Sequence, residues 1–123
     1  MPRSIKLKNN TYWDSTAVKD SVRRITFQIG ANGSKTIQFK DARYVVLFAA
    51  KGGMAGSNEL WEIHTYGSGT STRMGISMIS TGSNGRSLSY TIDGRNLIIT
   101  NPIDSAVDCS LLLLVATKDV TIS

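Results

Sequence analysis

Asp108-Cys109-Ser110-Leu111-Leu112-Leu113-Leu114-Val115-Ala116 sets six consecutive apolar residues behind a polar start. The run is far shorter than the roughly 20 residues a membrane-spanning helix needs. It therefore reads as the middle of a water-excluded core. A strand that is apolar on both sides must be covered on both sides, by a second sheet or by a neighbouring chain. Arg43-Tyr44-Val45-Val46-Leu47-Phe48-Ala49-Ala50-Lys51 has the same character. These two segments are expected to be central strands, with the rest of the chain built onto them.

Working outward, the remaining segments alternate with period two and are separated by turn residues. Arg24 to Ile29 places Ile25, Phe27 and Ile29 on one face, and Ser34 to Lys40 places Ile37 and Phe39 inward. Gly30-Ala31-Asn32-Gly33 between them reads as a hairpin turn, because Asn-Gly favours positive φ. Glu59 to Tyr66 sets Trp61 and Ile63 against Leu60, Glu62, His64 and Tyr66. Arg73 to Ser80 aligns Met74, Ile76 and Met78, and Ser87 to Ile92 aligns Leu88, Tyr90 and Ile92. Asp93-Gly94 is a two-residue hairpin signal before Arg95 to Thr100. Asp119 to Ile122 reads as a short edge strand. Gly52–Asn58, Gly67–Thr72, Thr81–Arg86 and Asn101–Ser105 read as loops. About eight strands at this spacing predict an all-β fold, an antiparallel β-sandwich of jelly-roll-like type. A short extended N-terminal arm with a linker over Ala17–Arg23 occupies residues 1–23, and the sandwich occupies 24–123.

The chain has 123 residues and a formal net charge of +5. Residues 1–51 hold ten Lys and Arg against three Asp and Glu, whereas 52–123 hold four against six. The basic residues are scattered along alternating strands, and only Arg23 and Arg24 are adjacent. This argues against nucleic acid and for a solvated face or one that meets an acidic protein. The lone Cys109 excludes an intrachain disulfide and reads as a small buried thiol. Met1-Pro2-Arg3-Ser4 leads into Ile5-Lys6-Leu7-Lys8 without an apolar h-region, so no signal peptide and no membrane insertion are expected.

Ser4-Ile5-Lys6-Leu7-Lys8 alternates, Asn9-Asn10 turns, and Thr11-Tyr12-Trp13-Asp14 is a second extended piece. Tyr12 and Trp13 are too large for a segment with no core of its own, so they are expected to dock on another surface as an assembly arm. The string Ser4–Ser15 resembles the N-terminal tag of tail fibre and baseplate proteins of phages and prophages of Gram-positive, often gut, bacteria. Residues 24–116 bear a looser likeness to the β-rich tips of such proteins. In this chain the tag runs almost directly into the β module, which implies a compact tip or baseplate piece. The resemblance further implies a virion location, a homotrimer, other tail proteins as partners, and host-surface glycan as ligand. A tail adaptor without receptor contact and a stand-alone carbohydrate-binding module are the alternatives.

No catalytic constellation is expected. There is no G-x-S-x-G elbow, and Gly67-Ser68-Gly69 opens no helix and so is no dinucleotide fingerprint. One Cys and one His exclude the usual Cys/His zinc sites, and no cofactor is expected. Glu59, Glu62 and His64 lie within six residues, and Glu62 shares a strand face with His64. For ligand binding the candidate set is Trp61, His64, Tyr66 and Arg73, around the Gly/Ser/Thr loop. Sugars stack on aromatic faces and bond to planar polar groups. Packing of Trp61 inside the sandwich beside Ile63 is the competing reading.

Overall fold

The leucine run becomes a strand in the interior of a sheet. A computed structural model of the chain describes residues 4–7, 10–14, 23–40, 43–52, 58–67, 73–82, 88–116 and 119–123, the first two segments by backbone alone. In chain order the strands are β1 (Ser4–Leu7), β2 (Asn10–Asp14), β3 (Arg23–Ile29), β4 (Ser34–Gln38), β5 (Val45–Lys51), β6 (Asn58–Tyr66), β7 (Arg73–Thr81), β8 (Ser89–Asp93), β9 (Asn96–Thr100), β10 (Val107–Val115) and β11 (Thr121–Ile122). Strands β3-β10-β5-β6-β7 form one antiparallel sheet and β11-β4-β9-β8 another. The two pack as a β-sandwich, with no helix among the described residues. Both apolar segments are interior strands: β10 lies between β3 and β5, and β5 between β10 and β6.

Period-two burial explains which residues face the second sheet. From β10 come Val107, Cys109, Leu111 and Leu113, and from β5 Val46, Phe48 and Ala50. They meet Ile37, Leu97 and Ile99 of the smaller sheet and Leu88 at the start of β8. Aromatic rings join the layers: Phe39 lies edge-on to Tyr44 at 5.1 Å, and Phe48 to Tyr90 at 6.1 Å.

Two turn readings are corrected. The Gly30–Gly33 turn exists, with Asn32 at φ 56° and Gly33 N donating to Gly30 O at 3.0 Å, but β3 and β4 are not a hairpin. β3 pairs with β10 and β4 with β9, so the turn carries the chain from one sheet to the other. The fully buried Asn101 holds that corner. Its Nδ2 donates toward Ile29 O (3.2 Å), Gly30 O (3.0 Å) and Ser105 O (2.8 Å), and its backbone N donates to Gly33 O (2.8 Å). Where the chain crosses between layers, the Asn101 side-chain and backbone N–H groups thus supply donors to carbonyls on both sides of the corner. In the β8–β9 hairpin, Asp93 pairs with Asn96, so the two turn residues are Gly94 and Arg95. Gly94 has φ 59°. A glycine at the first central position is the type II′ arrangement, so the turn lies one residue later than Asp-Gly suggested.

β11 lies at the edge of the smaller sheet, paired with β4. β1 and β2 pair with each other, Trp13 opposite Ile5 and Tyr12 at a register shift. The linker expected over Ala17–Arg23 lies outside the described residues except for Arg23. So do most of the loops expected at 52–58, 67–72 and 81–86.

A candidate ligand platform on the outer face

The face of the five-stranded sheet turned away from the core differs from end to end. At one end the cross-strand row is Gln28, Asp108, Lys51 and Asn58. Here a shallow depression of about 1070 Å³ is lined by these residues with Arg24 and Ser110 among others. Its polar groups largely satisfy one another: Gln28 Nε2 donates to Asp108 Oδ1 at 2.7 Å, and Arg24 Nε to Ser110 Oγ at 3.0 Å. The middle is apolar, with Leu112 opposite Leu47 and both half-buried. Leu114 falls at a bulge where Leu113 pairs with Val46 and Val115 with Val45. Both Leu114 and Val115 are exposed.

At the far end β6 and β7 bring three of the four expected ligand residues together. His64 and Tyr66 stack with ring centres 5.7 Å apart and planes 26° apart. Arg73 is the cross-strand partner of Tyr66, and Gly75 that of His64. The imidazole occupies the space over Gly75: a Cβ there would stand 2.4 Å from Nε2. Glu62 accepts from Nδ1, at 3.0 Å through Oε1 and 3.2 Å through Oε2. A carboxylate can only accept, so Nδ1 carries the proton of this bond. The glycine and the glutamate thus fix the ring, while Tyr66 stays 49% exposed.

Trp61 does not join them. One residue out of phase with Glu62, it faces the core at 7% exposure. Its ring lies 4.6 Å from that of Tyr90, and its Nε1 donates to Glu59 Oε1 at 2.9 Å. The strand alternation already separates Trp61 from His64 and Tyr66.

Sequence reasoning missed Glu59. It is a carboxylate at 4% exposure, taking Trp61 Nε1, Leu88 N (2.8 Å) and Tyr90 Oη (2.6 Å). It ties β6 to the start of β8 and so stitches the two sheets. Burial, and next the hydrogen bond to Glu59, raise the Tyr90 phenol well above its ordinary range. Burial also pushes the Cys109 thiol up to about 12, with Asp108 and Glu59 adding to it. The available signal was the shared parity of Glu59 with Trp61 and Ile63. Among the described residues no three His, Cys, Asp or Glu side chains gather as a metal site.

No family model matches the chain, and no curated protein matches its sequence. Its fold is similar to part of a tailspike protein, gp49 of the Acinetobacter baumannii bacteriophage Fri1, a capsular polysaccharide depolymerase. That likeness has a TM-score of 0.52 and 12% identity, over 83% of this chain and 18% of that one. The tailspike of the Acinetobacter phage vB_ApiP_P1 also matches, over 100% of this chain and 25% of that one, with 16% identity and a TM-score of 0.42. The chain thus spans a fifth to a quarter of the tailspikes it resembles. The likeness is one of fold, to a tailspike module, and nothing in it points to a Gram-positive host.

Proposed function

We propose that this chain is a phage virion component, a tail-tip or baseplate module that assembles with other tail proteins and contributes to recognition of host-surface glycan. The observation that carries the reading is the fixed His64–Tyr66 stack on the outer face of β6, with Arg73 of the edge strand β7 beside it. An exposed aromatic face with oriented polar groups is the equipment of sugar binding. The fold likeness to a polysaccharide-depolymerising tailspike and the N-terminal tag support the same context. The reading assigns binding and not cleavage: the Glu62–His64 pair fixes a ring, and among the described residues no second acid is paired with it.

The reading includes a homotrimer. Leu47, Leu112, Leu114 and Val115 form an apolar band on an interior part of the sheet that the second sheet cannot reach. Copies of the same band, gathered about a cyclic three-fold axis, supply the cover for it.

The test is titration of the full chain with capsular polysaccharides from candidate host cells. Saturable binding that is lost in Tyr66→Ala, with the melting temperature kept and the polysaccharide left uncut, is the expected result. Binding that is indifferent to Tyr66→Ala contradicts the platform. Absence of binding across the hosts moves the protein to the adaptor role.

A further inference from the structure

The following rests on the glycan reading of the platform and narrows its ligand. We infer that the platform selects acidic saccharides, whose sugar ring lies on Tyr66 and His64 while a carboxylate is met by Arg73 and Arg43. Arg73 stands directly across from Tyr66. Arg43 reaches the same end from the opposite side, because its backbone N donates to Thr65 O at 3.2 Å, next to Tyr66. Both arginines are exposed, and neither forms an ion pair among the described residues. The one carboxylate of the platform, Glu62, is engaged by His64. Beside the stacked rings the described residues therefore place two unpaired guanidinium groups and one carboxylate, which is turned to His64. Two guanidinium forks beside an aromatic face suit a carboxylate-bearing pyranose better than a neutral one.

The backbone adds a separate observation. Arg43 sits at φ 74°, a left-handed conformation that costs a non-glycine residue about 1–2 kcal/mol. It is held there by the ladder around Thr65, whose N donates to Tyr44 O (3.0 Å) and whose Oγ1 accepts from Tyr44 N (3.0 Å). Strained backbone of this kind gathers at ligand sites, where geometry is kept against local preference. Asn or Gly would relieve the strain, yet the position carries a cation.

The experiment titrates the full chain with the panel of capsular polysaccharides used above, each paired with its carboxyl-reduced derivative, and with polyglutamate as a polyanion without sugar rings. The inference expects an acidic polysaccharide to bind and its reduced form to bind about ten- to a hundredfold more weakly, the loss of hydrogen bonds to a charged group. In Arg73→Gln and in Arg43→Asn, which tolerates the left-handed backbone, the acidic and reduced forms should converge while the melting temperature holds. Equal binding of both forms overturns the acidic preference and leaves the glycan reading standing. Polyglutamate binding as tightly as the polysaccharide overturns it in favour of bare charge attraction. Failure of every polysaccharide to bind overturns both readings together.

Discussion

The two faces of β10 carry the same kind of side chain to different ends. On the inner face Cys109, Leu111 and Leu113 are at most 4% exposed, sealed by the smaller sheet. On the outer face Leu112 is half-buried, and Leu114 and Val115 are exposed. The described residues cover one side only of a strand that is apolar on both. The inner face thus accounts for the fold of the chain. In the proposed assembly the outer face is where copies meet.

The largest effect belongs to the inner face. Leu111→Ala should lower stability by about 2–5 kcal/mol, a cavity in a close-packed layer, as measured by chemical denaturation. Leu112→Ala should cost well under half of that in dilute, dissociated protein. Equal costs would erase the distinction between the faces.

Next comes the seam between the sheets. Tyr90→Phe removes one donor from the buried Glu59 and should cost about 1–3 kcal/mol. It also bears on alkaline stability. Tyr90 and Cys109 both have pKa values raised by folding. Above their unfolded values the native state binds more protons than the unfolded one, so stability falls as pH rises. The contribution of Cys109 is intact below about 9 and is lost as pH climbs toward about 12. Denaturation midpoints should therefore decline above pH 9, and less so in Cys109→Ala. A flat profile would contradict the burial of these groups.

Adjacent positions on β10 give a finer contrast. Cys109 should resist a neutral-pH thiol reagent in the native protein, because its thiol is buried and its pKa raised. In a Cys109→Ala background, Ser110→Cys places a thiol on the outer face, where labelling should be rapid in isolated chains. Rapid labelling of Cys109 would reverse the facing of the strand. The smallest effect is expected at Tyr44, whose buried hydroxyl has no partner among the described residues. Tyr44→Phe should be neutral or slightly stabilising, since it removes a polar atom left unpaired.

The run 111–116 and the segment 43–51 made the interior strands legible, because only such strands tolerate apolar residues at consecutive positions. The alternation at 24–29 and 59–66 gave the inward faces for the same reason, and it also held the answer on Trp61. Layer assignment was less legible. Asn-Gly at 32–33 encodes a turn geometry and not the identity of the strands it joins, and the pairing was decided by Asn101, distant in sequence. Glu59 was hidden because a carboxylate at a strand end reads as solvated, and donors to it come from Trp61, Leu88 and Tyr90. His64, Tyr66 and Arg73 could be grouped by strand parity and by nearness to one loop. The room above Gly75 and the left-handed Arg43 emerge only once β5, β6 and β7 are in register.

What covers the outer face of β10 is read from the solution mass, by light scattering at micromolar concentration. The full chain, at 13.3 kDa, should run at the mass of three copies. The double variant Leu47→Ser, Leu112→Ser should run as a single folded chain. A wild-type protein at the single-chain mass would show that the outer leucines need no second copy, and would contradict the claim that this face is where the chain assembles.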